Sequence, residues 1–99
     1  MAGNLTRIGD VDSDYDRMIT GSSDVMINGL GACRLGDINL GQRIVRNEDG
    51  SETVEITYDK MVAVSNTVFI NSLGASRIGD RDDDDDTMIT GSYNVFVGD

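Results

Sequence analysis

The sequence contains no histidine, no proline and no tryptophan, and its single cysteine is Cys33. Histidine is the usual general base near neutral pH and a common metal ligand, so its absence removes the simplest route to either chemistry. One cysteine excludes an intrachain disulfide. A chain of 99 residues must therefore hold itself together by packing and hydrogen bonds, near the lower size limit for a self-sufficient core. Aromatic residues supply only 5% of the chain, against 38% hydrophobic residues overall, so the core has to be built from Val, Ile, Leu and Met. Positive charge is scarce as well: 8 Lys and Arg face 18 Asp and Glu, for a net charge of −10. That argues against nucleic acid or an anionic lipid surface as partner, since both call for a basic patch. No apolar run approaches the roughly 20 residues of a membrane-spanning helix. The N-terminus is polar, with only Arg7 before the first aspartate, and reads as lacking a signal peptide, which predicts synthesis in the cytoplasm.

What the chain has instead is glycine, aspartate and repetition. Residues 18–37, MITGSSDVMINGLGACRLGD, recur in altered form as residues 61–80, MVAVSNTVFINSLGASRIGD, and begin a third time as residues 88–97, MITGSYNVFV. The interval from Ser22 to Asp37 equals that from Ser65 to Asp80, and the interval from Asp10 to Ser22 equals that from Asp80 to Ser92. The stretch from Asp37 to Ser65 is longer, so the middle connection carries an insertion. Residues 3–10, GNLTRIGD, match the half-unit that the third copy lacks. Three units follow, over 11–37, 38–80 and 81–99, the last completed by 3–10. Arg7, Arg34 and Arg77 become equivalent, as do Asp10, Asp37 and Asp80. A repeat divided between distant ends of a chain predicts a closed ring, because an open array would leave unpaired edges at both ends.

Twelve glycines imply many tight turns, and no window of helical length carries a 3.6-residue apolar stripe. Short apolar or alternating runs between Gly, Asn, Asp and Ser clusters read as strands. The spacing places them at 5–8, 18–20, 25–27 and 32–35, with Asn28-Gly29 as a hairpin turn. In the insertion, Val54, Ile56 and Tyr58 alternate with polar residues, and Asn47-Glu48-Asp49-Gly50-Ser51 supplies a turn, which predicts an inserted β-hairpin over about 42–58 with one apolar face. The class is all-β, in one small domain of short strands. Residues 82–86 are five consecutive aspartates, and Asp12, Asp14 and Asp16 alternate in the first connection. Such runs predict solvated, mutually repelling loops.

The pattern Gly-Ser-x-x-Val-x-Ile-Asn-Gly-x-x-Ala-x-Arg-x-Gly-Asp, closest at 21–37, repeated at 64–80 and truncated at 91–97, resembles the PAAR-repeat proteins. The motif that names the family is replaced here by Gly31-Ala32-Cys33-Arg34 and Gly74-Ala75-Ser76-Arg77. The resemblance implies a conical, pseudo-threefold β-domain that caps the trimeric β-helical spike of a contractile injection machine. Such machines are phage tails, with a central spike, and type VI secretion systems, with a VgrG-like spike. The implied partner takes one chain per trimer, the implied place is the tip of the virion tail or secretion apparatus, and the tip meets the target membrane transiently. Family members hold zinc through three histidines and a cysteine in the connections. This chain has no histidine, and Cys33 lies in a strand, so the family zinc site is expected to be absent.

Candidate sites follow from these readings. Alternation sets Val25 and Ile27 on one face and Met26 on the other, and the same holds around Phe69 and Phe96. Met26, Phe69 and Phe96 thus form a threefold apolar set suited to docking a trimeric partner. Arg7, Arg34 and Arg77 are read as structural, holding aspartates or turn carbonyls at equivalent places. Asp14, Asp16, Asp84 and Asp86 form a candidate oxygen site for a hard divalent cation, although the EF-hand pattern fails at Arg17 and Ser23. Cys33 reads as a small buried hydrophobe. With no base beside a nucleophile, the chain is not expected to be an enzyme. The rival reading is a calcium-stabilised extracellular repeat, such as an adhesin module.

Overall fold

A computed structural model describes residues 3–98. Asp99, which ends the third unit, lies outside the described residues. The chain is all-β, with no helix among those residues. Its strands are β1 (Gly3–Asn4), β2 (Arg17–Met18), β3 (Met26–Ile27), β4 (Leu30–Gly31), β5 (Ile38–Arg46), β6 (Glu52–Lys60), β7 (Phe69–Ile70), β8 (Leu73–Gly74) and β9 (Phe96–Val97).

Three equivalent antiparallel pairs carry the repeat: β3 with β4, β7 with β8, and β1 with β9. In the last, Gly3 lies opposite Val97 and Asn4 opposite Phe96. The ring therefore closes between segments from opposite ends of the described chain, and no strand edge is left open there. The run 5–8 is not a continuous strand. Leu5 and Arg7 instead make single bridges, to Arg77 and Ala32, and Arg34 bridges Ala75 in the same way. The reason is geometric: each of these segments changes neighbours every two residues as it crosses the ring, so no ladder grows longer.

At the centre the three crossing segments form a cycle. The Thr6 amide donates to the Ser76 carbonyl, the Ser76 amide to the Cys33 carbonyl, and the Cys33 amide to the Thr6 carbonyl, each at 3.0 Å. Three side chains converge there, so only small ones fit, and Thr6, Cys33 and Ser76 are all fully buried. On one side lies an aliphatic layer of Leu5, Ala32, Ile70, Ala75 and Val97, with Val25, Ile27 and Val95 packed against it. On the other lie Met18, Met61 and Met88, equivalent residues packed around Cys33.

The Arg-x-Gly-Asp turns are fixed in triplicate. Arg7, Arg34 and Arg77 each bond the aspartate three residues on, through the backbone amide and through Nε to Oδ2. The intervening Gly9, Gly36 and Gly79 have φ of 96°, 84° and 92°, which side chains resist. Ser22, Ser65 and Ser92 close the other turn by accepting the amides of Val25, Val68 and Val95 on Oγ. This is the hydroxyl turn motif that suits serine outside regular strands.

The insertion is longer than the sequence suggests. β5 and β6 pair over nine residues each, from Ile38 opposite Lys60 to Arg46 opposite Glu52. A ribbon of that length spans about 30 Å and accounts for the long dimension of a chain measuring 51 × 24 × 23 Å. It projects from the ring, and Ile44, Val54, Ile56 and Tyr58 are exposed along one face.

Gly31 and Gly74 sit where a Cβ would lie 2.5 Å from the Ser22 and Ser65 carbonyl oxygens. The equivalent Asn4 uses its side chain to donate to the matching carbonyl, that of Ser92, at 2.6 Å. Replacing Gly74 by Ala should therefore cost about 1–3 kcal/mol through overpacking. Urea unfolding monitored by circular dichroism checks this, and an unchanged midpoint would show that the strand shifts freely.

Candidate functional site

The three connections between units gather at one end of the ring, next to the methionine layer. Their anchors are single bridges: Asp12 with Met88, and Met61 with Asp82. The middle one is the start of the ribbon, where Met18 lies opposite Asn39. Asp12, Asn39 and Asp82 are thus equivalent, each two residues beyond the motif aspartate. All three are buried, at 0%, 1% and 1% exposure.

The two short connections have the same internal design. Oδ1 of Asp12 accepts the amides of Asp14 and Asp16 at 2.9 and 3.0 Å. Oδ1 of Asp82 accepts those of Asp84 and Asp86 at the same distances. Tyr15 and Asp85, each with φ of 64°, complete the turns. The first aspartate of each run therefore folds its own loop, and its second oxygen is left for the interior. There Nδ2 of Asn39 donates to Oδ2 of both Asp12 and Asp82 at 2.7 Å, while its Oδ1 is buried and has no hydrogen-bond partner.

The acidic runs are thus not solvated throughout, which corrects the expectation from their sequence. Asp12 and Asp82 are internal and Asp16 is buried, whereas Asp14, Asp84 and Asp85 are exposed. Of the four aspartates singled out by sequence, Asp14, Asp16 and Asp86 bring carboxylate oxygens within 4.8 Å of one another, without Asp84. A second group, Asp12, Asp82 and Asp86, meets the same limit. Sequence reasoning missed Asp12 and Asp82 because an aspartate run ordinarily reads as solvated. The available signal was their shared register with Asn39.

Negative charge is concentrated here. Burial pushes the Asp12 carboxyl up to about 6, against the pull of its two backbone amides, with Asp16 and Asp86 adding repulsion. Asp59, on the ribbon, is pushed up to about 6 by burial and then by Asp82, Asp84 and Asp83. Asp16 and Asp86 are also raised, first by burial.

At the opposite end of the ring, Met26, Phe69 and Phe96 stand at equivalent positions with 53%, 60% and 64% exposure. Polar links join neighbouring units around them. Asn28 donates to Asn94 at 2.9 Å, and Asn71 donates to Asp24 at 2.9 Å. Arg7 and Arg34 reach across to Asn28 and Asn71 through Nη1. The apolar residues thus sit on a laced rim, not on free loops.

The residues present do not fit the zinc that the family resemblance implies. There is no histidine, and Cys33 packs among the methionines with its thiol pushed up to about 12 by burial. Among the described residues, no group joins Cys33 to an aspartate in ligand geometry. No protein-family model matches the chain, and no curated protein matches it.

Two outcomes follow. Cys33 should resist thiol reagents at pH 8 in the folded protein and react fully in denaturant; a labelling time course checks this. The Asp12 and Asp59 carboxyls bind their protons more tightly folded than unfolded, so stability should fall as pH rises from about 4 to about 6 and stay low above that. In chelator, the thermal midpoint should be several degrees higher at pH 4.5 than at pH 7.5. Asp12→Asn should reduce that slope, leaving the share that Asp59 contributes. A midpoint that instead rises across this window would mean that Asp12 is not held in a charge-penalising site.

Proposed function

We propose that this chain is the tip of a contractile injection machine, capping the three-chain end of a β-helical spike through the Met26, Phe69 and Phe96 end. The observation that carries the reading is the placement of three exposed apolar side chains at equivalent positions of a threefold-repeated single chain. A single chain can satisfy three identical partner surfaces only if it presents similar contacts three times, and internal repetition supplies that. Exposed aromatic residues on an ordered rim also have burial still to gain on docking.

The acidic end would face away from the spike. Aspartates that are costly to desolvate stay toward water, and the ribbon beside them would lead at the target membrane. The role is mechanical and not catalytic: the only cysteine is sealed in the core and the chain has no histidine. Phage tails and type VI secretion systems both use such tips, and the reading covers either setting.

Co-expression with trimeric spike ends tests it. The expected product is a complex of one chain per trimer, formed equally in chelator. Phe69→Asp with Phe96→Asp should weaken it by about two to four orders of magnitude, since each buried aromatic contributes about 1.5–3 kcal/mol, while the β spectrum is retained. Asp83→Asn, Asp84→Asn and Asp85→Asn together should leave it intact. Loss of binding in the asparagine variant alone would reverse the proposed orientation.

A further inference from the structure

The buried end of the acidic connections has more hydrogen-bond acceptors than donors. Asp12 and Asp82 each turn Oδ2 inward, and the buried Asn39 amide reaches between them. Its nitrogen has two hydrogens, one for each carboxylate. Its oxygen receives nothing, although it is sealed from solvent. Left so, that oxygen carries a desolvation cost without return.

Charge is out of balance in the same place. The ion pairs of Arg7, Arg34, Arg43, Arg46, Arg77 and Arg81 run to Asp10, Asp37, Glu55, Glu52, Asp80 and Asp85. Among the described residues, neither Asp12 nor Asp82 is ion-paired with an arginine or lysine. Buried carboxylates are ordinarily paired with a cationic group or bound to a metal.

We propose that Asp12, Asn39 and Asp82, with Asp86 at the rim, form a site for one hard divalent cation of the calcium type. Two observations support it, and one change on binding completes it. Oxygens of Asp12, Asp82 and Asp86 lie within 4.8 Å of one another, as ligands of a cation bound at 2.3–2.6 Å must. The carboxylates are pre-set, because backbone amides already hold Oδ1 of Asp12 and Asp82 and fix where Oδ2 points. The change is in the Asn39 amide: its two ends have the same shape, and half a turn about Cβ–Cγ on binding gives up the two N–H bonds to Oδ2 and brings the orphan oxygen between the carboxylates in their place. Four oxygens then face the ion, and water completes the shell of a cation that takes six to eight ligands. Asp86 also belongs to the outer group with Asp14 and Asp16, so the buried ring communicates with solvent through it. The inference goes beyond the capping role and holds whether or not the chain docks on a spike.

The test is calorimetric titration of the chelator-stripped 99-residue chain with calcium chloride, at constant ionic strength and pH 7.5. Saturation at one equivalent is expected, with a thermal midpoint that climbs with calcium concentration. Asp82→Asn should weaken binding at least tenfold. Asn39→Asp, which adds a third carboxylate to the ring, should tighten it at least tenfold while lowering the midpoint in chelator. That opposite sign keeps the result readable even if the Asp82 variant folds poorly. Asp83→Asn with Asp85→Asn, outside both groups, should leave the affinity unchanged. No saturation by about 10 mM calcium, beyond the weak end of protein calcium sites, would overturn the proposal. So would equal losses in the Asp83/Asp85 and Asp82 variants, which mark a diffuse counterion cloud, or binding that Asn39→Asp does not alter, which marks an ion held at the rim alone.

Discussion

Three backbone hydrogen bonds at the centre, running from Thr6 to Ser76, from Ser76 to Cys33 and from Cys33 to Thr6, set the terms for everything around them. They bring three segments from separate parts of the chain to within side-chain reach of one another. That crowding dictates a hydroxyl, a thiol and a hydroxyl at the centre, with alanine at Ala32 and Ala75 just beside it. Bulk is pushed outward along the axis, into the methionine layer on one side and the Ile27, Ile70 and Val97 positions on the other. A core this small works because each layer is filled three times by similar residues and needs no large aromatic group.

Polarity is divided between the two ends by the same arrangement. At one end, short turns capped by Ser22, Ser65 and Ser92 lift Met26, Phe69 and Phe96 into solvent. At the other, the chain returns through acidic connections whose first carboxylate must fold the loop, since each accepts two amides of its own run. The geometry leaves the remaining carboxylate oxygens facing one another. The middle unit breaks the symmetry there: Asn39 stands where the others have aspartate, and a projecting ribbon replaces the short loop.

Much of this was legible in the residues. Equal spacings between serines and aspartates gave the three units, and the match of residues 3–10 to a missing half-unit predicted closure, seen as β1 paired with β9. Alternation around Met26, Phe69 and Phe96 separated the inward from the outward face. Strand limits were less legible, because a segment that changes neighbours every two residues carries no long alternating pattern. The ribbon was underestimated at its base, where Leu40, Gly41 and Asp59 gave no clear period. The interior role of Asp12 and Asp82 was hidden by composition: within a run of aspartates, nothing local marks which one folds the loop. Only the register shared with Asn39, at equal distance from the motif aspartate, carried that information.

Ring closure also governs how the chain reaches its native state. The bond from Asn4 to the Ser92 carbonyl and the pairing of Gly3 with Val97 join residues from opposite ends of the described chain. Contacts of this kind make folding slow, because the entropy of closing long loops is lost before the contacts repay it. During synthesis Arg7 and Ile8 can meet Ala32 and Gly31 early, but Gly3 and Asn4 have no strand partner until Phe96 and Val97 have been made. Until then the aliphatic layer around Leu5 lacks Val95 and Val97, and the nascent chain is most prone to aggregate at that stage.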